Sequence, residues 1–165
     1  MYSKILVPLD GSELAEQVLP HVIELANRTG AEIVLLRVPD IPVYEYLMTV
    51  PEFSARVREE AENEARQYLV RLGEKLRALG LKVRTEMVYE GAVYSTILNA
   101  AQEVGADLIA MSTHGRSGLA RLVMGSVTDD VVRHAQLPVL LVRPHPVSNG
   151  QTVHFDTASP TLHAN

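Results

Sequence analysis

The sequence predicts an open, five-stranded parallel α/β sheet of order 3-2-1-4-5 with helices on both faces. Three observations lead there. Five short apolar runs alternate with four segments of helical period, and an alternating β-α order implies parallel strands joined by crossover helices. Several of the runs are nearly continuous in their hydrophobicity, as strands covered on both faces are. Finally, polar or irregular segments follow the first, second and fourth runs. In such a sheet all three lie on the carboxyl edge, where ligands sit beside the reversal of strand order.

The first run, Ile5 to Leu9, ends in Asp10-Gly11-Ser12, a turn followed by an N-cap candidate. From Glu13, residues Ala15, Val18, Leu19, Val22, Ile23 and Ala26 share one helical face, and Gly30 closes the segment. Pro20 falls inside that helix and predicts a kink or a break. Ile33 to Val38 is the second run, and Pro39 to Pro51, with three prolines, reads as a loop. A long helix starts at Glu52: Val57, Ala61, Ala65, Tyr68, Leu72, Leu76 and Leu79 step by three or four, and Gly80 ends it.

Val83 to Val88 alternates, as a strand exposed on one side does. The next helix carries Val93, Ile97, Leu98, Ala101 and Val104 on its apolar face and ends at Gly105. Leu108 to Met111 is the fourth strand. A polar, glycine-bearing loop follows, then a helix from Ser126 to about His134 and a last strand, Pro138 to Val142. Five strands in this order fit the flavodoxin-like or Rossmann-like sheet. We expect one α/β domain over residues 1–143 and a mobile or surface-draped tail over 144–165.

A chain of 165 residues buries roughly 70% of its unfolded surface and builds a core without staples. It has no cysteine, so disulfides and thiolate metal sites are excluded. A net charge of −5 argues against nucleic acid, whose backbone demands a basic surface. No apolar run approaches the ~20 residues that span a bilayer, and the N-terminus is too short and strand-like for a signal peptide. A soluble, cytoplasmic protein without a membrane partner is expected.

The chemistry concentrates between Asp107 and Thr128. A strand, a small-residue loop and a helix N-terminus offer backbone N–H groups and a positive dipole end to a phosphate. The dinucleotide fingerprint and the P-loop are both absent. The chain instead reads Ser112-x-x-Gly115, nine residues, then Gly125-Ser126. With Val-Pro-Leu-Asp-Gly-Ser at 7–12 and Leu-Pro-Val-Leu-Leu-Val at 137–142, it closely resembles the universal stress protein family over residues 3–143.

That resemblance implies binding of ATP or AMP. Members of the ATP-binding branch carry Gly-x-x-Gly, nine residues, then Gly-Ser/Thr. Here Gly115, Gly125 and Ser126 match and the opening glycine is Ser112, which keeps a small side chain and a backbone N–H. The implied site takes in Pro8, Asp10 and Val38 at the adenosine end, with Ser112, His114, Gly115, Arg116, Gly125, Ser126 and Val127 around the phosphates. No catalytic residue is expected, and Mg²⁺, if it accompanies ATP, would meet Asp10. The resemblance also implies a homodimer through Val139, Leu140, Leu141 and Val142, an uncharged edge strand open to pairing.

Plainer readings stand beside these. Asp10 either meets ligand or caps the turn into the first helix. His114 is either a phosphate ligand or base, or a loop histidine bonded to backbone. Arg116 either neutralises phosphate or is a solvated surface cation. Ser126 has two compatible roles, since an N-cap hydroxyl at a helix N-terminus also faces an anion, and Ser126-x-x-Asp129 is a weaker relative of the capping box. Gly115-Arg-Ser-Gly118 is not a nucleophile elbow, and none of the six histidines falls in a zinc-binding His-x-x-x-His pattern with an acidic partner. The function expected is a non-enzymatic stress-response regulator that binds ATP or AMP and reports to a downstream protein. The alternatives are a slow ATPase or phosphotransferase, and a nucleotide-free dimeric adaptor.

Overall fold

A computed structural model of the chain describes residues 1–39, 51–88, 91–114 and 124–144, with side chains of 51–54 excepted. The expected loop over Pro39 to Pro51 lies outside them apart from its two ends, as does the tail beyond Pro144.

The elements run β1 Lys4–Leu9, α1 Glu13–Glu16, α2 Leu19–Thr29, β2 Glu32–Arg37, α3 Pro51–Ala78, β3 Val83–Met87, α4 Val93–Val104, β4 Leu108–Ser112, α5 Ser126–His134 and β5 Val139–Val142. The five strands form one sheet of order β3-β2-β1-β4-β5. Every pairing is parallel, with Ile5 opposite both Ile33 and Leu108, and Ile109 opposite Val139. The strand order reverses between β1 and β4, so the carboxyl ends of these two strands frame the crevice that such sheets use for ligands.

The continuous apolar strands feed two cores. On one face Val7, Leu9, Ile33 and Leu35 pack with Val18, Leu19 and Val22 of the first helices and with Leu69, Leu72 and Leu76 of α3. On the other, Leu6, Val34, Leu36, Ile109 and Met111 pack with Ile97 and Ala101 of α4 and Val131 of α5. Strand side chains alternate between faces, and both faces are covered, so the runs read as unbroken.

Pro20 does break the first helix. It sits in the first turn of α2, where a missing N–H costs nothing. Its ring excludes the Glu16 carbonyl from a continuous helix, and α1 accordingly stops at Glu16. The Gly30 backbone takes φ 73°, a left-handed cap whose N–H reaches the Ala26 carbonyl.

One helix face needs correction. Val93 was expected against the core with Ile97 but is 40% exposed, whereas Thr96 is buried. Val93 is the first residue of α4, and there the helix borders the crevice. The Thr96 hydroxyl is satisfied by the Ala92 carbonyl at 3.1 Å, which makes its burial inexpensive. No helix among the described residues is long and apolar enough to cross a membrane.

Candidate functional site

A cavity of about 360 Å³ opens at the carboxyl ends of β1, β2 and β4, within the range of small-ligand sites. Pro8 and Asp10 line it from β1 and the turn behind it, and Val38 from the end of β2. Ser112 and His114 close one side, and Gly125, Ser126 and Val127 present the start of α5. Eight of the ten residues expected from the sequence thus meet in one cavity. Gly115 and Arg116 lie outside the described residues.

Asp10 is held by its own turn. Its Oδ1 accepts from the Ser12 backbone N–H at 2.9 Å and from the Ser12 hydroxyl at 2.6 Å. Ser12 in turn caps α1, its hydroxyl accepting from the Ala15 N–H at 3.1 Å. Turn and ligand readings therefore coexist, because the turn fixes a carboxylate that lines the cavity.

At the opposite end the α5 N-terminus is anchored from three directions. The Gly125 N–H donates to the Thr113 carbonyl at 3.0 Å, and the Thr113 N–H donates to Val142 at 2.9 Å. The Thr128 hydroxyl donates to the Ser112 carbonyl at 3.2 Å in a buried contact. The first helical bond runs from Asp129 N–H to the Gly125 carbonyl. The N–H groups of the preceding turn have no partner within the helix, and they carry its positive dipole end.

Two expectations about this turn fail. The N-cap is Gly125, with φ −60° and ψ 147°, and Ser126 is the first helical residue. Its hydroxyl is therefore displaced from the capping position. Asp129 does not reach back as in a capping box; it pairs forward with Arg133, Nε to Oδ2 at 2.8 Å. With glycine at the cap, the cap residue itself places no side chain over the helix end.

Ser112 is buried, and its Oγ accepts a long 3.4 Å contact from the His114 N–H. Ser112 thus turns its hydroxyl to local backbone. His114 is fixed by a 2.9 Å contact between Nδ1 and the Thr113 hydroxyl, while its Nε2 is buried without a hydrogen-bond partner among the described residues.

Sequence reasoning missed several lining residues. Leu36, Ile97 and Met111 give the cavity an apolar wall, and periodicity marked them only as core. Arg37 also lines it at 4% exposure; a charge ending an otherwise apolar strand on the carboxyl edge was the available signal. Its Nη1 donates to the Leu9 carbonyl at 3.4 Å. Close by, Tyr68 of α3 has its hydroxyl buried with no hydrogen bond of good geometry among the described residues. Burial, then the Glu16 charge, hold this phenol well above the usual range; Arg37 opposes the rise and Asp10 adds to it.

The described residues contain no group of three or more His, Asp or Glu side chains that could hold a metal ion. Among the described residues lining the cavity, Asp10 is the one carboxylate.

Fold and cavity define an open α/β protein with a small-ligand crevice at its switch point. A family model described as the Universal stress protein family matches residues 1–143, and the chain belongs to that family. It is 32% identical over 143 residues to universal stress protein MJ0531 of Methanocaldococcus jannaschii, covering 87% of this chain and 83% of that one. The solved structure of MJ0577 from the same organism superposes with a TM-score of 0.78 at 33% identity, over 89% of this chain and 99% of that chain. An Arabidopsis thaliana family member with AMP bound shares the fold at a TM-score of 0.63 and 19% identity, over 87% and 92% of the two chains.

Proposed function

We propose that this universal stress protein binds an adenine nucleotide, ATP or AMP, in the cavity and acts as a non-enzymatic regulator whose ligand state is read by another protein. One observation carries the reading: the cavity joins a turn-fixed carboxylate, Asp10, to a helix N-terminus capped by glycine. In this reading Pro8, Asp10 and Val38 meet the adenosine end, and the apolar wall takes the base. Ser112, His114, Gly125, Ser126 and Val127 surround the phosphates, joined by Gly115 and Arg116. Anions are favoured at such a helix end without a lysine clamp. The Arabidopsis relative with AMP bound supports the reading only as a likeness of fold, so its weight rests on this chain's own residues.

Mg²⁺ would enter with ATP and meet Asp10. The partner is a second copy of the chain, paired through Val139 to Val142 of β5, the outermost strand beside β4. An uncharged edge strand is a template for strand pairing, and sedimentation should find a species of twice the chain mass. Slow ATP hydrolysis is the second reading, favoured by His114 beside the cavity, whose Nε2 has no hydrogen-bond partner among the described residues. Mg²⁺-dependent phosphate release that disappears in Asp10→Ala would establish it.

The test is mass analysis of small molecules released when protein purified from cells is denatured. AMP or ATP in near-equimolar amount is the expected result. Release of a different ligand class, with no nucleotide taken up on soaking, would overturn the proposal.

A further inference from the structure

We infer that Arg37 is a positioning residue for the nucleotide site, acting through Asp10 from beneath the cavity; this rests on the adenine-nucleotide reading above. Arg37 is the last residue of β2 and stands opposite Leu9, the last residue of β1, in the parallel register. Its side chain bends across that pairing, and Nη1 donates to the Leu9 carbonyl at 3.4 Å. Leu9 immediately precedes Asp10, so the contact bears on the peptide that leads into the carboxylate turn. The guanidinium is 4% exposed and still borders the cavity.

The surroundings explain what it does there. Asp10 and Glu16 are carboxylates on the β1–α1 segment, and both, like Arg37, act electrostatically on the buried Tyr68 hydroxyl of α3. Two negative groups and one positive group thus act on the same phenol, and of the three only Arg37 is buried, the carboxylates being half-buried. Removing the cation leaves the carboxylates to repel each other and favours an outward swing of Asp10 into solvent. A buried cation is costly, and a hydrophobic side chain of similar volume often serves stability as well. Its return here is a fixed Asp10 facing the adenosine end of the ligand.

The test is a double-mutant cycle on nucleotide affinity, measured well below the melting temperature of each full-length variant. Arg37→Met should weaken AMP binding about tenfold, as expected for residues coupled in one network. Asp10→Asn should weaken it comparably, and the double variant should be no weaker than Asp10→Asn alone. Arg37→Lys, which keeps the charge without the planar fork, should lose less than Arg37→Met, and it takes that variant's place in the cycle if Arg37→Met does not fold. Additive losses, or an Arg37 variant that melts lower yet binds AMP like wild type, would overturn the inference and leave the nucleotide reading intact. Absence of AMP and ATP binding in the wild-type protein would overturn both.

Discussion

The Thr128 hydroxyl, in the first turn of α5, donates to the carbonyl of Ser112 at the end of β4, 3.2 Å away and out of contact with water. The bond joins the strand that enters the proposed phosphate loop to the helix that leaves it. Whatever the intervening residues do, the two ends of the loop are held together, and the helix N-terminus is aimed at the cavity.

Thr128→Val keeps the shape of the side chain and removes the donor, leaving a buried carbonyl with one partner fewer. A loss of about 1–2 kcal/mol is expected, or roughly 2–8 °C in melting temperature for a domain of this size. Thr128→Ser should recover most of it. Thermal melts of the three proteins decide the matter; an unchanged Thr128→Val would mean that the bond is not holding the loop ends.

Gly125→Asp separates folding from binding. Aspartate is a favoured N-cap and its charge complements the helix dipole. A Cβ at Gly125 would meet the Thr113 carbonyl at 3.4 Å, an ordinary contact, and φ there is −60°. Stability should therefore hold or rise by a few tenths to about 1 kcal/mol. The added carboxylate lies where phosphate is proposed to sit, so ATP affinity should fall by at least about tenfold. Calorimetry beside a thermal melt reads both effects, and a variant that still bound ATP like wild type would move the phosphates away from α5.

Asp107 ties the start of β1 to β4 at the edge of the sheet opposite the cavity. Its Oδ2 accepts from the Ser3 N–H at 2.7 Å and the Ser3 hydroxyl at 2.6 Å, and its Oδ1 accepts from the Lys4 N–H at 3.0 Å. Burial is the largest single influence and pushes its carboxyl up, but the bonds from Ser3 and Lys4, with one from its own backbone N–H, together outweigh it and hold the group below its ordinary 3.8. A depressed folded pKa contributes stability that is present above the unfolded value and lost as pH falls through the folded one. Asp107→Asn should thus be less stable than wild type at neutral pH, by no more than about 1 kcal/mol because the site is open to solvent. That difference should shrink as the pH drops below 3.8. Urea midpoints of both proteins across pH 2–7 would show it, and a gap constant with pH would remove the charge from the explanation.

Much of this fold was legible because hydrophobic runs and glycine stops carry it. The alternation of strands and helices, the break ahead of Pro20 and the helix ends at Gly30 and Gly105 followed from local rules. What escaped depends on where an element ends against another. Val93 has the right period for the core, yet the first turn of α4 borders the crevice. Ser126 has the right chemistry for a cap, but the chain enters the helix one residue earlier, at Gly125. Arg37 and Thr128 were missed because their roles come from partners 28 and 16 residues away, separations that no pattern along the chain encodes.

The central claim is that the cavity between Asp10 and Gly125 holds an adenine nucleotide. Titration of nucleotide-free protein with ATP and with AMP, followed by calorimetry and by melting temperature, tests it most directly. The account predicts saturable binding of one nucleotide per chain. At a hundredfold excess over Kd the stabilisation should be about 2.7 kcal/mol, a rise of roughly 5–10 °C in melting temperature. No binding heat and an unmoved melting temperature at millimolar ATP and AMP would contradict it.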